Sequence, residues 1–423
     1  MGIAGVVVIT GASSGIGRCA AALFASQGWR VGLVARGEAG LRAARGDVEH
    51  HGCVAATARA DVVDLDALDE AATSIERALG PIDVWVNCAG NGTYGRFIDT
   101  PAAEFRRVTD VTYLGTVNGT RVALQRMLPR DSGCIVNVCS GVAFRGMPLL
   151  SSYSGAKHAV RGFGQSVCAE LAQDGSRVRL TTIFPPAVNT PFCDHAISHM
   201  ERPGRPIAPV YQPEIIAEAI LIAAVTGAGE MPVSFTSVLF SLCTRLVPGL
   251  VDRGIHRLGY TAQLSDAGTL ARPRATTLFA ASDFASPVRG RFDAEARSRS
   301  LHVLVLRVLA RFREVFTSVW KRVTAMVEPA ARVGGGDAVE GRRESGFERF
   351  GCAGLGGPQG ILRLGPAGLD RREIGRIARQ IEELEPRLGQ NSLDGLRLVR
   401  GQVVHEHGGI GMTAAQFGDQ HGP

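Results

Sequence analysis

A tyrosine and a lysine four residues apart, Tyr153 and Lys157 in the run SSYSGAK, are the pair whose types and spacing could move a proton. Lysine occurs only twice in a chain that otherwise takes its cations from arginine, so its use here is selective. On a helix, positions i and i+4 share one face, and both side chains then reach the same space. A phenol titrates near ~10 in isolation, and a neighbouring cation favours its ionised form. A tyrosine so placed can give a proton to a developing alkoxide or take one from an alcohol. The ammonium is a compact charge with three donors, suited to holding hydroxyls while it biases the phenol; a wide planar guanidinium would not fit both tasks. Ser140 closes the apolar run CIVNVCS and offers a hydroxyl to hold a substrate oxygen. Taken alone, a Tyr-x-x-x-Lys pair is common by chance, so its weight rests on the elements around it.

Those elements alternate. Short apolar runs at Val6 to Thr10, Arg30 to Ala35, Ala55 to Ala60, Val84 to Asn87, Cys134 to Cys139 and Arg179 to Phe184 read as strands. Between them, Gly17 to Gln27, Leu65 to Ala78, Glu104 to Met127 and Tyr153 to Ala172 carry helical periodicity. Strands apolar on both faces, each followed by a helix, predict an α/β fold: a doubly wound, Rossmann-type parallel sheet with helices on both faces. Between the first strand and helix, TGASSGIGR places Gly11, Gly15 and Gly17 as a tight turn, a close approach for a pyrophosphate and a close helix contact. A purely structural turn is the competing reading, weakened by the strand before and the helix after. Where the second strand ends, an NAD site wants an acid for the ribose hydroxyls; this chain has Arg36, with Arg18 able to reach the same region. Guanidinium forks match a 2′-phosphate, which favours NADP(H), against the alternative of an arginine on a solvated strand end.

With the glycine loop, Asn87-Cys88-Ala89-Gly90, Ser140 and Tyr153-x-x-x-Lys157 in this order, the sequence resembles the short-chain dehydrogenase/reductases (SDR) over roughly residues 4 to 225. The resemblance implies catalytic roles for Ser140, Tyr153 and Lys157. It assigns Thr10, Gly11, Ser13, Ser14, Gly15, Ile16 and Gly17 to the cofactor loop, and Asp61 and Val62 to the adenine. Asn87, Ala89 and Gly90 fall beside the adenosine ribose, with Cys88 replacing a second Asn. Pro185 to Thr190 fall near the nicotinamide, with Pro186 in place of glycine. It further implies a small carbonyl or alcohol substrate and a homodimer or homotetramer. One departure stands out: Thr112 occupies the place of the family's Asn, whose backbone carbonyl holds a water between Lys and solvent. An altered proton relay is expected.

Residues 1–230 read as the catalytic domain and 231–300 as an irregular segment on the substrate side, the lid being about 191–212 with its prolines. Residues 301–327 read as a basic amphipathic helix, docked on the protein or lying on an anionic membrane surface. The Gly-rich tail, 333–423, is expected to be mostly disordered around a short helix near 369–385. The net charge of +6 is spread along the chain, which argues against a nucleic-acid partner. Nine cysteines without a C-x-x-C pair argue against a disulfide framework or zinc site and make a reducing cytoplasm the expected compartment. His195 and His199 lack the carboxylate pattern of a metal pair, so no metal is expected. The alternative to an enzyme is an NADP(H)-binding regulator or scaffold, motivated by Thr112, Cys88, Pro186 and the long extension.

Overall fold

The first apolar run decides the layers. Every residue of Val6–Thr10 (β1) is buried, with Val7 and Ile9 in one core cluster and Val6 and Val8 in another. Such a strand needs cover on both sides. In the computed structural model, which describes residues 5–227, 229–265 and 276–310, the later strands are Arg30–Ala35 (β2), Ala55–Arg59 (β3), Ile82–Asn87 (β4), Cys134–Val138 (β5), Arg179–Phe184 (β6) and Glu230–Pro232 (β7). They pair in parallel in the order β7-β6-β5-β4-β1-β2-β3. The order reverses between β1 and β4, and beyond the carboxyl ends of those strands such a sheet opens its ligand crevice.

The helices are Gly15–Ser26 (α1), Glu38–His50 (α2), Leu65–Leu79 (α3), Ala102–Thr109 (α4), Gly115–Met127 (α5), Ser151–Gln173 (α6) and Pro213–Thr226 (α7). Phe24, Leu41, Ile216 and Ile220 bring α1, α2 and α7 onto one face of the sheet. Leu68, Ile75, Met127 and Leu171 bring α3, α5 and α6 onto the other. Each such side chain contributes about 1.5–3 kcal/mol on full burial. The fold is the doubly wound one expected from the sequence.

The expected helix from Glu104 to Met127 is interrupted. A π turn at Asp110–Leu114 separates α4 from α5. At its centre the Thr112 hydroxyl accepts from Asn91 N (3.2 Å) and donates to Asn91 O (3.0 Å), an attachment outside the helix. A side chain or a widened turn of this kind is a known cause of helix breaks.

After β7, a stretch read from sequence as irregular forms Phe235–Leu246 (α8) and Pro248–Gly254 (α9). Ser234 caps α8 by accepting from Ser237 N at 3.0 Å, and Pro248 starts α9 where a missing N–H costs nothing. The described part of the basic helix, Leu301–Ala310 (α10), buries Val303 and bonds His302 to the Pro232 carbonyl. Leu301, Leu304, Val305, Val308 and Leu309 stay exposed. The rest of that helix, the tail 333–423 and the short helix near 369–385 lie outside the described residues.

Candidate active site

Past β1 the chain turns back on itself with Gly11 at φ 67° and Gly15 at φ 51°, conformations that favour glycine. A Cβ on Gly11 would lie 2.7 Å from Ala89 Cα, and one on Gly17 would lie 2.4 Å from Gly11 O. No larger residue fits either position without moving backbone. Thr10 steadies this corner: its hydroxyl donates to Val86 O and accepts from Cys88 N (3.2 Å) and Ala89 N (3.4 Å).

The corner opens on a crevice of about 580 Å³. Ser13, Ser14, Gly15, Ile16 and Gly17 line it together with Gly11, Arg36, Asp61, Val62, Ala89, Gly90, Pro185 and Thr190. Ser140, Tyr153 and Lys157 line it too, so residues scattered over most of the catalytic region converge on one space. Three sequence assignments do not. Thr10 acts behind the loop through the backbone bonds just described. The Asn87 side chain is buried in the core, accepting from Trp85 Nε1 (2.8 Å) and donating to Thr120 Oγ1 (3.1 Å) and Asn137 Oδ1 (2.9 Å). It braces β4 against α5 and β5 and has no donor aimed into the crevice. Arg18 grips Asp47 through Nε (2.6 Å) and Nη2 (3.1 Å) and donates from Nη1 to Ser286 O (3.0 Å).

Ser140 lies two residues past the end of β5, and Tyr153 and Lys157 lie one turn apart on α6. Tyr153 is hydrogen-bonded to Ser140, and its ring packs on Phe192 at 5.1 Å. The Lys157 ammonium donates to Val138 O at 2.7 Å and stands 5.6 Å from the Tyr153 ring centroid. Desolvation, with the neighbouring Cys139 thiol adding to it, pushes the Tyr153 phenol well above its ordinary value, while Ser140 pulls the other way. Burial lowers Lys157. Burial thus acts on this phenol against the direction in which a neighbouring cation would draw it.

Thr112 departs from the family pattern in a specific way. Its backbone carbonyl accepts the Thr116 hydroxyl at 3.0 Å, while its side chain holds both backbone groups of Asn91. Its hydroxyl also lies 3.8 Å from where a Gly90 Cβ would stand, the same distance as Lys157 Nζ. The residue keeps the helix break and fixes the loop under the lysine.

Val142, Met147, Leu150, Val188, Phe192, Ile207 and Phe240 add apolar lining to the crevice, and Met147, Leu150 and Phe192 cluster with Tyr153. Burial pushes the thiol of Cys139 up to about 11, that of Cys193 to about 11 and that of Cys88 to about 12, so all three stay protonated at neutral pH. The two lid histidines part company. His199 bonds Glu104 at 2.9 Å, whereas His195 lines the crevice and bonds Ser286 at 3.0 Å.

A nicotinamide dinucleotide fits this donor set. The glycine turn presents backbone at a helix N-terminus, and a Cβ on Gly15 would press to 3.3 Å on the Thr190 side chain across the crevice. Residues 277 to 286, expected as part of the irregular segment on the substrate side, also line the crevice beside Arg36 and Arg18, a contact that no local pattern marks.

Residues 5–201 match the family model described as short chain dehydrogenase. The chain is 33% identical over 260 residues to an uncharacterized oxidoreductase, YxnA, of Bacillus subtilis (strain 168), covering 61% of this chain and 73% of the relative. It is 32% identical over 229 residues to the 3-ketodihydrosphingosine reductase of Mus musculus, covering 52% of this chain and 68% of that protein. Among solved structures it is similar to an actinorhodin polyketide ketoreductase with NADPH, at 26% identity and TM-score 0.49, covering 54% of this chain and 95% of the other.

Proposed function

The chain belongs to the short-chain dehydrogenases, oxidoreductases with a nicotinamide cofactor, and from that premise we propose an NADP(H)-dependent reductase of apolar ketones. One observation carries the proposal: Ser140, Tyr153 and Lys157 line one crevice together with the glycine turn, and Met147, Leu150 and Phe192 cluster with Tyr153. Arg36, where an acid would favour NAD, supports the phosphorylated cofactor. The bound dinucleotide supplies the hydride. The chain's own residues do the rest. Ser140 holds the carbonyl oxygen, Tyr153 gives it a proton as the alkoxide develops, and Lys157 orients the ribose side of the site and biases the phenol. The apolar wall excludes water and fits a hydrophobic substrate, in keeping with a relative named for a long-chain keto substrate.

Burial favours the protonated phenol, the form that gives a proton in reduction. Reduction needs the proton on Tyr153, and a raised pKa keeps it there through neutral pH. Oxidation needs the phenolate, whose fraction grows about tenfold per pH unit below the pKa. Purified full-length protein is expected to consume NADPH with a hydrophobic ketone at a rate that does not rise with pH between about 6 and 9. Oxidation of the matching alcohol should climb with a slope near one in log kcat/KM over the same range. A plateau of the oxidation near neutrality would mean that the phenol is drawn down instead of raised, and would overturn the expected pH dependence. Tight NADPH binding with no turnover of any ketone would return the reading to a regulator or scaffold.

A second reading concerns where the substrate comes from. Phe235, Leu239, Leu242, Leu246 and Leu250 are exposed along α8 and α9, and Phe240 of the same hairpin lines the crevice. Arg245, Arg253 and Arg257 lie among them, while the acid there, Asp252, is bonded to Arg145. Among the described residues no single helix is long and apolar enough to cross a membrane, and α8 and the stretch after it bend by 118°. Such a pair suits the surface of an anionic bilayer. The full chain should float with anionic vesicles and not with zwitterionic ones, and Leu246→Asp should weaken flotation. Equal soluble fractions with both vesicles would overturn this.

A further inference from the structure

The segment 277–287 lies some way beyond the stretch matched by the family model, yet it lines the same crevice and reaches the glycine turn. Its attachments are to the residues that the cofactor reading needs. Three consecutive carbonyls, of Thr277, Leu278 and Phe279, accept from the Arg36 guanidinium, the latter two at 3.3 Å. The Leu278 carbonyl also accepts from Arg107 Nε at 3.1 Å, and Arg107 in turn pairs with Asp61. Ser286 O accepts from Arg18 at 3.0 Å, and Pro287 O lies 3.4 Å from Gly15 N. The Leu278 side chain is fully buried and pins the stretch.

The accounting on Arg36 is informative. A guanidinium has five N–H donors in a fixed fork. Nη1 meets two of the carbonyls and stands 3.9 Å from Asp61 Oδ2, Nη2 meets the third, and Nε meets none of them. Nε and Nη2 lie on one edge of the fork and keep unused N–H groups that can meet phosphate oxygens. A long arginine left to itself would sample many rotamers and spend ordering entropy on binding. Here that ordering is built into the protein.

We propose that segment 277–287 is a clasp that sets selectivity for the 2′-phosphate, by holding the Arg36 guanidinium with one edge presented to the adenosine end of the crevice. This deepens the NADP(H) reading and rests on it. A phosphate dianion gains from the prepared edge; a ribose 2′-hydroxyl gains far less. The clasp also reaches the substrate side. Thr277 N donates to His195 O at 3.1 Å, the Thr277 hydroxyl accepts from Asn91 Nδ2 at 3.3 Å, and Ser286 bonds the His195 ring. One short segment thereby ties the cofactor's adenosine end to the lid.

The test uses the full chain and two readouts. In a fluorescence titration, Leu278→Ala, which loosens the anchor without touching any cofactor donor, should raise the Kd for NADPH about tenfold and leave that for NADH nearly unchanged. If the wild type already binds NADH as tightly as NADPH, the NADP(H) reading fails. If the wild type prefers NADPH and Leu278→Ala keeps the full preference, the clasp fails and that reading stands. Amide exchange on the wild type needs no variant: adenosine 2′,5′-bisphosphate should slow exchange over 277–287, and 5′-AMP should slow it less. Faster exchange with the bisphosphate would mean that the ligand displaces the segment, and would overturn the proposal.

Discussion

Tyr153→Phe is expected to bind NADPH with a Kd within about twofold of the wild type and to lose turnover by about 10³-fold. The substitution removes one oxygen. Its ring partner remains, because the contact with Phe192 at 5.1 Å is made by the aromatic faces. Among the described residues the phenol bonds Ser140, and Ser140 still accepts from Val142 N at 3.4 Å. The fold is therefore not at stake, and thermal midpoints should agree. What disappears is the proton donor, and kcat should fall far more than KM rises, the sign of an interaction made in the transition state. Stopped-flow NADPH binding and steady-state turnover on one preparation check both halves. Undiminished turnover would remove Tyr153 from the chemistry.

The sheet was legible because its strands are buried on both faces and their apolar runs are unbroken; Arg30–Ala35 and Val6–Thr10 form with the expected bounds. The missing pieces share a physical cause. Helix α2 begins behind Gly37 and carries Gly40 and Gly46, which dilute its periodicity, and its stability comes from Leu41, Ala44 and Val48 packed in the core. Strand β7 is three residues ending in proline, admissible because it is the edge of the sheet. The π turn at Asp110–Leu114 depends on Asn91, about twenty positions away, so no local window contains it.

The site divides in the same manner. Glycines with a steric demand, and a Tyr and Lys one turn apart, are local signals and were readable. Whether a side chain faces the crevice is a tertiary fact. Asn87 sits in a motif that places it at the cofactor, yet Trp85, Thr120 and Asn137 draw it into the core. The two arginines chosen as phosphate ligands differ for the same reason: Arg36 lines the crevice, and Arg18 is engaged by Asp47 and Ser286. Segment 277–287 has no periodicity at all; its carbonyls matter only because Arg36 and Arg107 lie under them.

Lys157→Arg should be nearly as damaging as loss of the charge itself, which makes it the sharper of the two substitutions. Lys157 is 4% exposed, and its ammonium is fitted between Val138 O at 2.7 Å and the space beside Gly90. A guanidinium brings two more nitrogens into that volume, and overpacking a tight site costs about 1–3 kcal/mol. It also brings five N–H donors in place of three, and each one left buried and unsatisfied costs about 1–3 kcal/mol. The variant should therefore melt earlier than the wild type and lose at least about a hundredfold in kcat. Lys157→Met is the informative partner. Burial already lowers the pKa of this lysine, a sign that its charge is costly where it stands. Removing the charge while keeping the length should leave the melting temperature unchanged or raise it, with activity lost all the same. Stability and activity then move apart in one variant and together in the other. If Lys157→Arg kept wild-type kcat, any cation would serve beside the phenol, and a chain so rich in arginine would have no chemical reason to use lysine there.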